Sequence, residues 1–121
     1  MPVSIVEVVD DLMTARISGL LRQEELAAVQ MKAASLIQQV GMVRFLVLVE
    51  DFEGWDKEGD WGNVWFQSEY DEGIEKMALV GDIKWEELAR IFTGQGARRF
   101  PIRYFLTEEI DAARKWIAEP A

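Results

Sequence analysis

Apolar and polar residues follow two different periodicities in the first forty positions of the chain. Alternating runs rich in β-branched residues at 4–9 and 13–18 predict a β-hairpin around an Asp10-Asp11 turn. An amphipathic helix is predicted over 23–39, because apolar residues there recur at spacings of three and four, and Gly41 is placed to end it. Those apolar positions are Leu26, Val29, Ala33, Leu36, Ile37 and Val40.

The remainder of the chain alternates predicted strands with predicted helices. A nearly continuous apolar run at 43–49 is typical of a buried strand in a parallel sheet. The same patterns predict two more strands and three more helices, in chain order a helix at 59–70, a strand at 74–80, a helix at 85–92, a strand at 101–106 and a final helix. Asp82 is predicted to cap the helix at 85–92, and Thr107 is predicted to cap the last helix.

The resulting order, ββαβαβαβα, predicts an α/β fold. Strands that alternate with helices form a mostly parallel sheet, here of five strands, and right-handed crossovers would put the helices mainly on one face. The N-terminal hairpin would add an antiparallel strand at one edge. The length of 121 residues and the continuous apolar pattern predict a single domain spanning 1–121.

The composition restricts the chemistry available to the chain. It contains no His and no Cys, so the commonest general base, the commonest metal ligand and the thiolate are all absent. An enzyme would have to work with Asp, Glu, Lys, Tyr or Ser alone, and a carboxylate-based enzyme is the least favoured of three hypotheses on function. We predict a protein that is not an enzyme and uses no cofactor or metal. The formal charge of −9 argues against binding to nucleic acid, since phosphate contacts need Lys and Arg. No apolar stretch reaches the roughly 18 residues of a transmembrane segment and the N-terminus has no signal-peptide pattern, so a cytoplasmic location is expected.

The segment after the predicted strand at 43–49 carries the candidate site. Large aromatic residues, a glycine and many carboxylates follow the carboxyl end of this strand, where open α/β sheets usually bind ligands. The predicted ligand-binding residues are Phe52, Gly54, Trp55, Trp61 and Trp65. The same rings could instead belong to the core, or form an exposed patch that contacts a protein or a membrane surface.

Two charged segments have weaker functional interpretations. The acidic run from Glu50 to Asp60 could hold Ca²⁺ or Mg²⁺, but its spacing does not match an EF-hand loop, and we predict a solvated face. The loop from Gly94 to Arg99 could hold an anion, but it lacks the lysine of a P-loop, and we predict a helix end followed by solvated arginines.

Three segments of the chain form a recognisable series: Phe52-Glu53-Gly54-Trp55 with Trp61 behind it, Met77 to Asp82 with Trp85 behind it, and Arg103-Tyr104-Phe105 followed by Ala112-Ala113 and Trp116-Ile117. In these segments and their order, the chain resembles the SpoIIAA-like, or STAS-like, family of small bacterial domains. The resemblance implies a βα superhelical fold and a binding or regulatory module rather than a catalyst. The serine that is phosphorylated in anti-sigma-factor antagonists has no counterpart here, since residues 50–57 contain neither Ser nor Thr.

Two hypotheses on function follow. The subgroup with aromatic residues at this position is associated with lipid-like or small apolar ligands, so the first is a module that holds such a ligand in a crevice at the strand carboxyl ends. The second is an interaction domain in signalling, whose aromatic patch docks a protein partner or a second copy of the chain. Peripheral contact with a membrane is compatible with either.

Overall fold

The structure, a computed structural model, describes residues 3–56, 70–93 and 100–119. The strands of this part of the chain are β1 (Val3–Val9), β2 (Leu12–Leu21), β3 (Val43–Trp55), β4 (Ile74–Gly81) and β5 (Ile102–Leu106). Its helices are α1 (Gln23–Val40), α2 (Glu86–Thr93) and α3 (Ile110–Ala118), and short 3₁₀ turns precede β4, α2 and α3. The helix predicted at 59–70 lies outside the described residues, except for Tyr70.

The strands form one sheet in the order β1-β2-β3-β4-β5. β1 pairs with β2 in antiparallel orientation, and every other neighbouring pair is parallel. The predicted fold class is thereby confirmed. Within the hairpin, Ile5 pairs with Ala15 and Glu7 with Thr14, so the intervening Val6 is an extra residue and forms a β-bulge.

Neighbouring residues of the central strands face opposite sides of the sheet, and each side has its own core. Phe45 and Val43 pack against Ile37 of α1, and Ala89 of α2 contacts the same cluster. Leu46 and Leu48 point to the other side, where they form a second cluster with Ala113 and Ile117 of α3. All four residues are buried. Two of the described helices therefore cover one face, and α3 covers the other.

The amino-terminal end of α3 departs from the predicted cap. Thr107 lies inside a 3₁₀ turn, and no side-chain cap comes from it. Instead the carboxylate of Glu109 accepts a hydrogen bond of 2.8 Å from the backbone N–H of Leu106. A Glu three residues along the chain can reach back in this way to satisfy an unpaired donor. The prediction of Thr107 as the cap was wrong, because the turn begins one residue earlier than predicted and Leu106 occupies the cap position.

The carboxyl-terminal end of α3 is held by two cationic side chains from the sheet. Lys76 of β4 is only 3% exposed, and its Nζ donates a 2.5 Å hydrogen bond to the carbonyl of Trp116 while lying 4.6 Å from the centre of the Trp116 ring. Arg44 of β3 donates from Nη1 to the carbonyl of Ile117, at 2.8 Å, and to that of Glu119, at 3.0 Å. The last carbonyls of a helix have no partners within the helix and carry partial negative charge, so both cations stabilise this end.

Arg44 is further fixed by Glu75, whose Oε2 lies 2.9 Å from the arginine Nε. The Arg44 side chain is 16% exposed, whereas Arg16 and Glu50 form an ion pair of 3.1 Å in which the side chains are 45% and 52% exposed. The two arginines thus offer a matched comparison between a partly buried and a solvated ion pair.

We predict that Arg44→Met lowers the free energy of unfolding by about 2 kcal/mol, because it removes charge-assisted hydrogen bonds to carbonyls that have no other donor within α3. Arg16→Met should cost less than about 1 kcal/mol, because a solvated pair contributes little. Urea unfolding of both variants measures the difference. Equal losses of stability would contradict the structural role assigned to Arg44.

Candidate functional site

β3 continues well beyond the predicted end at Val49 and reaches Trp55. Its pairing with β4 extends only to Leu48, opposite Val80, whereas pairing with β2 continues as far as Trp55, opposite Leu21. The carboxyl-terminal half of β3 therefore forms a two-stranded extension with β2 beyond the edge of the central sheet. Its acidic residues made this segment look like a loop in the sequence.

The extension contains two irregularities in strand register. Val49 pairs with Ile17, Phe52 with Gly19 and Trp55 with Leu21, so β3 advances six residues while β2 advances four. Asp51, with φ of 49°, and Gly54, with φ of 110°, adopt the left-handed conformation that such bulges use. A Cβ at position 54 would have enough space, so it is the backbone conformation that favours glycine there.

The bulges place Phe52 and Trp55 on the same side of the sheet. Their partners on β2, Gly19 and Leu21, are two positions apart and so share a face with Met13, which packs against α1. In a regular strand, residues three apart would point to opposite faces. The two extra residues in β3 thus bring both rings to the face that carries α2.

Four rings meet there and form what we term the aromatic cluster: Phe52, Trp55, Trp85 and Phe92. The ring centre of Phe52 lies 5.0 Å from that of Trp55 and 4.8 Å from that of Trp85, in edge-to-face contacts. Trp55 lies 6.0 Å from Trp85 and 5.2 Å from Phe92, measured between ring centres. All four residues are of intermediate exposure, so the rings support one another and still present apolar surface to the outside.

A hydrogen-bonded turn after β4 positions Trp85. The carboxylate of Asp82 accepts a 3.0 Å hydrogen bond from the backbone N–H of Lys84, which confirms the predicted cap, and its carbonyl accepts one from the N–H of Trp85. The hydroxyl of Tyr104 on β5 also donates to the Asp82 carbonyl, at 2.7 Å. Gly81 allows this approach, since a Cβ there would stand 2.6 Å from the Tyr104 hydroxyl.

Burial raises the pKa of Tyr104 to about 12, and the carboxylates of Asp82 and Glu86 add to the effect. A negative charge on the phenol would be both poorly solvated and close to other negative charges. The phenol therefore keeps its proton and its donor role across the physiological range.

One polar atom in the aromatic cluster lacks a partner. Nε1 of Trp55 is buried, and among the described residues no acceptor lies within hydrogen-bonding distance of it. A buried indole N–H usually finds an acceptor, and leaving it unpaired costs about 1–3 kcal/mol. An acceptor atom on a bound molecule would remove that cost.

The structure thus brings three of the five predicted site residues together and places two further aromatic residues beside them. Phe52, Gly54 and Trp55 lie together, while Trp61 and Trp65 lie outside the described residues. Sequence reasoning missed Trp85 and Phe92 as members of the site. The signal was available, because the carboxyl ends of neighbouring parallel strands lie at the same edge of a sheet, so the residues after β4 had to lie beside those of β3.

Other features of the described residues bear on candidate chemistry. Among them no group of three or more carboxylates is arranged to hold a metal ion.

None of the described helices has both the length and the apolar character needed to cross a membrane. The loop from Gly94 to Arg99 lies outside the described residues. A groove of about 470 Å³ runs between α1 and the hairpin, away from the aromatic cluster, and is lined by Ile5, Val8, Met13, Lys32, Ser35, Leu36 and Gln39.

We predict that Tyr104 makes stability depend on pH in the alkaline range. Its pKa is raised from 10.0 to about 12 by folding, so the folded chain holds a proton that the unfolded chain loses, and stability falls as the pH rises between these values. Tyr104→Phe should lower the free energy of unfolding by about 1 kcal/mol at neutral pH, because it removes the hydrogen bond to Asp82. The stability of this variant should not show the decrease at alkaline pH that Tyr104 causes. Alkaline titration of tyrosinate absorbance should show a late step in the wild type that is missing from the variant. A late step that persists in Tyr104→Phe would contradict the prediction.

Comparison with known proteins agrees with this architecture. The family profile described as SpoIIAA-like matches residues 12–118. Among solved structures, the chain is similar to an uncharacterized protein of the DUF3478 family with a SpoIIAA-like fold from Shewanella loihica PV-4, at 16% sequence identity and a TM-score of 0.68. The alignment covers 96% of this chain and 92% of that one. No curated protein matches the chain. Since the family profile spans nearly all the described elements, the chain belongs to the SpoIIAA-like family.

Proposed function

We propose that the protein is a non-enzymatic binding module that holds a lipid-like or other small apolar ligand at the aromatic cluster. Membership of the SpoIIAA-like family supports a regulatory or interaction domain of the STAS type. The finer assignment, to an apolar ligand at the carboxyl ends of β3 and β4, is our inference from the site. A cytoplasmic location and a single domain remain predictions from the sequence.

The observation that carries this proposal is the half-buried state of all four rings. Rings of the core would be sealed, as Phe45 and Phe105 are at 7% and 4% exposure. Covering a further area of about 100 Å² of apolar surface stabilises a complex by about 2.5 kcal/mol before the costs of association. A ligand that also accepts a hydrogen bond from Trp55 Nε1 would gain directional specificity.

We expect straight-chain amphiphiles to bind and Trp55→Ala to weaken that binding about tenfold or more, because the variant removes the largest apolar contact and the free indole donor. Calorimetric titration with fatty acids, long-chain alcohols and acyl esters measures this without relying on the fluorescence of the mutated residue. Trp116→Phe is the matched control, since Trp116 packs against Phe105 and Lys76 on the opposite face. Failure of every amphiphile to bind, or unchanged affinity in Trp55→Ala, would refute the proposed function.

A second candidate function, docking of a protein partner or of a second copy of the chain, is favoured by a separate observation. Ile83, Leu88 and Ile91 are 66%, 47% and 70% exposed, and they lie on and just before α2, next to the aromatic cluster. Exposed apolar residues grouped in this way often mark an interface.

If this surface forms a homodimer, the double variant Ile83→Gln/Ile91→Gln should shift the protein to monomer in sedimentation velocity. Met31→Gln is the control, because Met31 is 60% exposed on α1 and away from α2. A wild-type protein that sediments as a monomer at every concentration tested would exclude the homodimer.

A further inference from the structure

Carboxylate residues flank members of the aromatic cluster along the chain. Asp51 and Glu53 flank Phe52 on β3 and are exposed, and Asp56 follows Trp55. The Oε2 atom of Glu53 lies 3.5 Å from where a Cβ of Gly19 would stand, and Gly19 is the residue that pairs with Phe52. The Glu53 carboxylate therefore lies against β2, at the position paired with Phe52.

The turn on the other side of the cluster is also acidic. Asp82, Glu86 and Glu87 lie immediately before and after Trp85. Among the described residues, Lys84 and Arg90 are the cations of this turn and of α2, and Arg90 is already paired with Glu86.

The chain itself places an ammonium group against one ring of the cluster. Nζ of Lys84 lies 5.5 Å from the centre of the Trp85 ring, within the range of a cation–π interaction. A Trp face beside carboxylates is a favourable environment for an organic cation, since the ring and the carboxylates attract it together. A carboxylate or phosphate head group would meet repulsion from the same groups.

We propose that the ligand of the aromatic cluster is an acyl or alkyl compound with a cationic ammonium head group, rather than an anionic lipid. This inference rests on the proposed function, because it specifies the ligand of the same site. The apolar chain covers the rings, the ammonium lies against a Trp face within the acidic surroundings, and an ester oxygen of the ligand accepts from Trp55 Nε1.

Three probes that share one acyl chain test the head group: decanoylcholine, the neutral monodecanoylglycerol and decanoate. In calorimetric titration at low salt, decanoylcholine should bind about tenfold or more tightly than decanoate, with the glycerol ester between them. Added salt should narrow the difference, since exposed carboxylates are screened.

The double variant Asp51→Asn/Glu53→Gln should reduce the preference for decanoylcholine over decanoate about threefold. The control Glu7→Gln/Asp10→Asn changes the net charge equally, on β1 and the hairpin turn, and should leave the preference almost unchanged. The control separates local attraction from the general attraction of an acidic chain for cations.

The results separate the assignment of a cationic head group from the proposal that the aromatic cluster binds an apolar ligand. Equal binding of the three probes, a preference for decanoate, or the same effect from both double variants would overturn the cationic assignment while leaving the apolar site intact. Binding of none of the three would refute the proposed function and this inference with it.

Discussion

The register between β2 and β3 determines where the candidate site lies. β3 is 13 residues long, and only β2 accompanies it beyond Leu48. Two extra residues in that stretch return both Phe52 and Trp55 to the face occupied by α2. A shift of one residue in a strand moves each side chain to the opposite face, so loss of the extra residue between Phe52 and Trp55 would place the two rings on opposite faces. The position of the aromatic cluster is therefore determined first by strand pairing, and contacts between the rings follow from it.

Charged residues have different roles at the two edges of the sheet. At the edge where β3 and β4 begin, Arg44 and Lys76 are turned inward and bind the terminal carbonyls of α3, and Glu75 pairs with Arg44. At the edge where these strands end, exposed carboxylate residues such as Asp51 and Glu53 flank the rings along the chain. Charge therefore stabilises the fold at the first edge and is exposed to the surroundings at the second.

Local sequence patterns were sufficient for most of the architecture and for half of the site. The periodic apolar residues of α1 and the apolar start of β3 predicted their elements closely, since burial alone determines such patterns. The sequence did not reveal that β3 runs to Trp55, because its acidic residues pair in a two-stranded extension that needs no apolar alternation. Trp85 and Phe92 were missed because their contacts depend on the spatial order of the strands, which lies beyond any local window.

The bulge at Val6 has a consequence for the tendency of the protein to aggregate. β1 is an edge strand whose residues Val6, Val8 and Val9 are about half exposed, and Glu7 is the charge among them. A flat edge of this composition would be a template for strand addition between molecules, and a bulge disturbs the regular spacing of its free N–H and C=O groups. The extra residue in the hairpin thus protects the sheet from growing into an aggregate, at a position remote from ligand recognition.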